Sequence, residues 1–220
     1  LLERGVFGVS AVAAGKGVAG APTLDRSALV EAAEEVLGRG AVFAVDAGAE
    51  VLPDLFEVAR RGSGRLHLRS VADHEELPLL ARAREEGLPV TASTNPHLLA
   101  LVSEVTHGGQ AVATLDPPIR DAANRELLWD ALRDGTVDAV ASARLGLSVV
   151  WTEARRRGFD LSDVARWMSG RPAAIVGLDD RGEIREGLRA DFAAVADDEA
   201  FVVLPGAREL GRSDSVYAQR

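Results

Sequence analysis

Residues 41–68 read AVFAVDAGAEVLPDLFEVARRGSGRLHL. Two short β-rich runs, Ala41 to Val45 and Arg65 to Leu68, flank Val51 to Arg60, whose apolar residues recur at helical spacing. A strand, a helix and a strand in so short a span form a parallel pair joined by a right-handed crossover. The same cycle extends both ways. Upstream, Val6 to Ala13 reads as a strand, Gly15 to Pro22 breaks it, and Leu29, Val30, Ala33, Val36 and Leu37 mark one face of a helix from Asp25 to Leu37. Asp25 is placed to cap that helix and Gly38 to stop it. Downstream come a helix from His74 to Glu86 and a strand from Leu88 to Ala92, then an irregular stretch through Asp116-Pro117-Pro118. A helix from Asp121 to Arg133, a strand from Val137 to Ala141 and helices over Leu147–Arg157 and Ser162–Met168 complete the series. After Gly182 the pattern changes to short strand-like runs with Gly and Asp turns. The expected organisation is therefore α/β over residues 1–178 with a β appendage over 179–220. A parallel sheet of this kind is expected to be buried on both faces. A (β/α) barrel and an open doubly wound sheet satisfy the pattern equally.

Composition narrows the function classes. The 220 residues are 47% hydrophobic and 27% charged with a net charge of −9, the balance of a soluble globular chain. That charge repels nucleic acid, and Arg155-Arg156-Arg157, the densest basic run, reads as a solvated helix face. No apolar stretch approaches the ~18 residues of a membrane span, and Leu1-Leu2-Glu3-Arg4 is not a signal peptide, so a cytoplasmic setting without membrane contact is expected. The absence of Cys excludes disulfides, thiolate zinc sites and a thiol nucleophile. One Lys, Lys16, and four His, at 67, 74, 97 and 107, are all that remain for amine or imidazole chemistry.

Local motifs carry little. Gly15-Lys16-Gly17-Val18-Ala19-Gly20 is a literal G-x-G-x-x-G after a strand, but the helix begins only near Asp25, so a bound phosphate would lack the helix N-terminus that makes this motif work. It is also not a P-loop, because Gly17 follows the Lys. A flexible loop is the plainer reading, with a nucleotide-binding module as the weakest functional alternative. Ser63 does not lie in a nucleophile elbow, and neither H-x-H nor H-E-x-x-H occurs.

Longer segments carry more. Leu88-Pro89-Val90-Thr91-Ala92-Ser93-Thr94-Asn95-Pro96-His97-Leu98-Leu99 is followed by Asp116-Pro117-Pro118-Ile119-Arg120-Asp121-Ala122-Ala123-Asn124-Arg125-Glu126-Leu127-Leu128-Trp129, and then by Asp134 to Ser142. In order and spacing these resemble the allantoinase and dihydroorotase branch of the cyclic amidohydrolases. Val149 to Gly158 and Leu161 to Trp167 look specifically like allantoinase, and Gly182, Ile184, Gly187, Ala190 and Asp191 look like the strand pair closing that family's accessory β-sandwich.

The resemblance implies an incomplete (β/α)₈ barrel, about its fourth to eighth strands, with a remnant of the sandwich. A complete barrel takes about 250 residues, so an N-terminal shortfall is expected, and an arc of strands has edges that call for a homo- or hetero-oligomeric partner, such as an active amidohydrolase. In the family, zinc ions at the C-terminal strand ends activate a hydroxide that opens a cyclic amide, a step of purine catabolism for allantoinase. The ligands expected there are an H-x-H, a carboxylated Lys, two further His and an Asp. Here Ser10 stands at the Lys position, Asp46 and Ser70 at the two His positions, and Ala143 at the Asp. The H-x-H strand would precede Leu1.

The resemblance therefore implies a homologue without the family's metal centre and with no cofactor, a pseudoenzyme or partner subunit. Asp46 with Asp116 could hold a weak divalent ion, or Asp46 could simply fill an emptied pocket. An active cyclic-amide hydrolase completed by missing N-terminal sequence or another subunit is the alternative. Asn95, His97, Asp116, Arg120 and Asn124 are the candidates for the substrate pocket. For His97 the competing role is structural; for Arg120 and Asn124 it is helix capping or a salt bridge to Asp121 or Glu126. His74 and His107 read as exposed, and Trp129, Trp151 and Trp167 as core.

Overall fold

The computed structural model describes residues 7–14, 22–104, 115–143, 145–200 and 217. Five strands, β1 (Gly8–Val12), β2 (Val42–Asp46), β3 (Arg65–Leu68), β4 (Val90–Thr94) and β5 (Ala139–Val140), form one parallel sheet in sequential order. Helices α1 (Arg26–Gly38), α2 (Leu52–Arg61) and α3 (Glu76–Glu85) connect the first four strands. Two helices, α4 (Pro96–Ala100) and α5 (Ala122–Asp134), lie between β4 and β5. After β5 come α6 (Gly146–Arg156), α7 (Leu161–Ala165), a π-helical turn at Arg166–Gly170 and α8 (Arg171–Val176).

The strand order decides between the two architectures left open by periodicity. In a doubly wound sheet the order reverses at a switch point and helices cover both faces. Here every strand lies beside its predecessor, and right-handed crossovers then put every helix on one face, as in an arc of a (β/α)₈ barrel. Burial agrees with this. Phe43, Val45, Leu66, Leu68 and Ala92 are at most 2% exposed and pack with Leu29, Leu37, Leu55, Leu80 and Leu128 of the helices. Residues of the opposite, concave face are less covered: Ser10 is exposed, and Ala44, Asp46, His67, Arg69 and Thr91 are half-buried.

Local chemistry explains the helix bounds. Asp25 caps α1 by accepting from the Ala28 N–H at 2.9 Å, and Asp121 caps α5 by accepting from Asn124 N–H at 2.8 Å. Asp160 and Asp163 form a reciprocal capping box on α7. Gly38 is the last residue of α1, and Arg39 caps the helix, its N–H returning to Val36 O. Beneath α5, Trp129 stacks on Phe159 at 5.6 Å and meets Trp167 edge-on at 6.0 Å, and its indole N–H donates to Leu99 O at 3.0 Å. Trp151 is half-buried and packs against the edge of this core, and its indole N–H donates to Asp197 O at 3.0 Å.

The expected β appendage has no strand among the described residues 179–200. Ile184 and Phe192 are 89% and 70% exposed there. The Gly15–Gly20 loop, His107 and residues 201–216 lie outside the described residues. No described helix is long and apolar enough to cross a membrane.

Candidate functional site

In a parallel barrel the strand ends converge at the C-terminal rim, and residues two apart on a strand share a face. Register therefore gathers Ser10, Ala44, Asp46, His67, Arg69, Thr91 and Ser93 on the concave side. At its mouth the Arg69 guanidinium donates to Asp46 Oδ2. Asp46 Oδ1 and Arg69 Nε are both buried and have no hydrogen bond. Deeper in, His67 lies between two hydroxyls, Nδ1 being 2.9 Å from Thr91 Oγ1 and Nε2 3.1 Å from Ser93 Oγ. Burial is the main cause that lowers the His67 pKa to about 4; Asp138 and Asp46 work against the shift and Arg69 adds to it. His67 is thus neutral at physiological pH.

The segment after β3 forms the rim. Ser70 adopts a φ of 55°, a left-handed conformation costly for a residue with a Cβ, and turns the chain out of the strand. Val71 is then tied to β4, its N–H donating to Ser93 O at 2.9 Å and its carbonyl accepting from the Thr94 hydroxyl at 2.7 Å. Asn124 locks the next turn: its Nδ2 donates to Ala72 O and its Oδ1 accepts from His74 N–H, both at 2.8 Å. Arg120 pairs with Asp73 at 2.6 Å rather than with Asp121 or Glu126.

The sequence-derived pocket candidates therefore divide. Asn124 is 6% exposed and both ends of its amide are engaged by the backbone of residues 72–74, so it supports the rim instead of offering itself to a substrate. Arg120 holds the same turn from outside. Asn95 precedes α4 without a side-chain cap bond, and His97 lies half-buried on that helix. Asp116 is half-buried and joined to Pro117 by a cis peptide.

The metal that the resemblance implies can be tested against this arrangement. Ser10 is exposed, Ser70 shapes a turn, Ala143 has no donor, and the carboxylate of Asp46 is held by a guanidinium. Among the described residues no three His, Cys, Asp or Glu side chains come together as a metal cage. These positions do not fit a zinc centre, and Asp46 is paired with Arg69.

Arg69, Thr91 and Ser93 were not anticipated. The available signal was alternation, since Arg69 follows His67 by two residues as Asp46 follows Ala44, and Thr91 and Ser93 are likewise two apart.

No family model matches the chain. It is 35% identical to the allantoinase of Streptomyces avermitilis across 99% of this chain and 60% of that protein. It is 29% identical to probable allantoinase 2 of Dictyostelium discoideum across 62% of this chain and 33% of that one. Among solved structures, a D-hydantoinase matches 99% of this chain and 61% of its own at a TM-score of 0.80 and 19% identity. The inactive dihydroorotase-like domain of a Chaetomium thermophilum CAD-like multifunctional protein matches 69% and 48% at 0.57 and 18% identity. The chain thus spans about three fifths of the length of the Streptomyces allantoinase and of the D-hydantoinase. The alignment with the Streptomyces protein covers 269 positions against 220 residues here, so parts of that protein have no counterpart in this chain. With the ordered motifs and the singly wound parallel sheet, these likenesses show that the chain belongs to the allantoinase-like cyclic amidohydrolases.

Proposed function

We propose that this chain is an allantoinase homologue without the family's metal centre, non-catalytic toward cyclic amides by itself and acting as a partner subunit in the cytoplasm. The observation that carries the reading is the Asp46–Arg69 ion pair at the strand ends: an internal cation already occupies the one carboxylate among the four substituted ligand positions. A metal-activated hydroxide needs several anionic or imidazole ligands around an open coordination position, and Ser10, Ser70 and Ala143 cannot supply them. The half-buried concave face supports the partner role, because parallel sheets are ordinarily covered on both sides.

Ring opening of allantoin in the presence of added zinc tests the catalytic half. The purified chain is expected to give no product above buffer. Chelator-sensitive turnover would overturn the reading and favour an active hydrolase.

A further inference from the structure

His67, Thr91 and Ser93 form a directed hydrogen-bond chain on the concave face. The Thr91 hydroxyl lies 3.5 Å from Leu66 O and 2.9 Å from His67 Nδ1, so its single proton has the carbonyl or an unprotonated Nδ1 as acceptor. In the tautomer protonated at Nδ1, the Thr91 proton goes to Leu66 O and Thr91 Oγ1 accepts from His67 Nδ1–H across 2.9 Å. A neutral ring protonated at Nδ1 has its lone pair on Nε2, and the group 3.1 Å from Nε2 is the Ser93 hydroxyl, which therefore donates. That tautomer holds a serine hydroxyl against an imidazole base whose other nitrogen is braced by a third group, an arrangement that activates serine on unrelated folds.

Ala44 neighbours His67 and Ala139 neighbours Ser93, so small side chains flank the pair in both directions along the sheet. Ser93 is 7% exposed, which suits the transfer of a small acyl group.

We propose that Ser93 is a nucleophile that accepts a small acyl group from an activated ester, with His67 as its general base and Thr91 as the positioning residue. Ser93 Oγ bonds to the acyl carbon as its proton passes to His67 Nε2; the bond from the acyl carbon to the leaving oxygen breaks, and that oxygen takes the proton from Nε2. Water then reverses the sequence: one proton goes to Nε2, the hydroxyl bonds to the acyl carbon, and Ser93 leaves and recovers its proton, releasing a carboxylic acid. No metal takes part, so the proposal stands apart from the zinc question.

The probe is p-nitrophenyl acetate with the intact chain. One acetyl group is expected on Ser93 by peptide mapping, accompanied by a burst of p-nitrophenolate. Ser93→Ala should abolish the burst, and His67→Gln should slow it about a hundredfold. The wild-type rate should stay level as pH falls from 8 to about 5 and drop near 4, where His67 becomes charged under the combined influence of burial, Asp138, Arg69 and Asp46. Thr91→Val should move that drop, and Thr91→Ser should restore it. Circular dichroism melts identify variants that fail to fold; for those, Ser93→Cys supplies the chain's sole thiol, expected to alkylate faster than a free cysteine. Three results would each overturn the proposal: acetyl found on Lys16 or exposed serines but not on Ser93, a rate unchanged in His67→Gln, or a thiol in the Ser93→Cys variant that alkylates no faster than free cysteine.

Discussion

Two polar side chains on the inside of this molecule are engaged in different ways. Asn124 has no titratable group, and its work is geometric, joining the turn after β3 to the start of α5 through two 2.8 Å hydrogen bonds. Asn124→Ala strands a buried carbonyl and a backbone N–H, and denaturant unfolding should show a loss of about 1–3 kcal/mol. His67 couples the fold to pH instead. Its pKa is lowered from 6.5 to about 4, so the unfolded chain takes up a proton before the folded one does. Its contribution is complete above about pH 6.5 and is lost as pH falls through about 4, a change of about 3 kcal/mol. His67→Asn should flatten the dependence of unfolding free energy on pH across that window; an unchanged slope would show that other groups cause it. The sequence places His67 within the expected strand Arg65 to Leu68 but does not show its partners. They come from β4, and only the register of β3 against β4 brings Thr91 and Ser93 to the ring.

The elements with strong periodicity and a capping residue were the most legible. Asp25 and Asp121 mark the true starts of α1 and α5, because a short carboxylate side chain is the direct way to satisfy a free N–H in the first turn. Asp121→Ala should destabilise the chain by about 1 kcal/mol without changing its far-ultraviolet spectrum. Less legible were α4 and α8, five and six residues long, which are too short for a helical period to emerge. The strand β4 sits two residues later than its apolar run suggests, since Ser93 and Thr94 are strand residues held by polar contacts. Packing explains the aromatic cluster, where Trp129→Ala should cost about 3–5 kcal/mol, read from the denaturation midpoint. Trp151 sits at the core's edge, where its ring packs inward and its indole N–H reaches Asp197 O.

Across the whole molecule, sequence patterning established a parallel α/β chain but could not choose between a barrel arc and a doubly wound sheet. That choice depends on which strands pair, a long-range property that local periodicity does not encode. The sequential order leaves one face half-covered, and the ion pair between Asp46 and Arg69 sits at its mouth. The partner role in our proposal predicts association: native mass spectrometry should give a species heavier than the 23.2 kDa chain, whereas a stable monomer at micromolar concentration would count against it. Above all, a guanidinium in place of a metal on Asp46 means that the strand ends should not take up zinc, and equilibrium dialysis against zinc followed by elemental analysis reads this without any assay of turnover. No stoichiometric zinc is expected on the wild-type chain; one or two equivalents, lost on changing Asp46 and Asp116 to Ala, would contradict the loss of the metal centre.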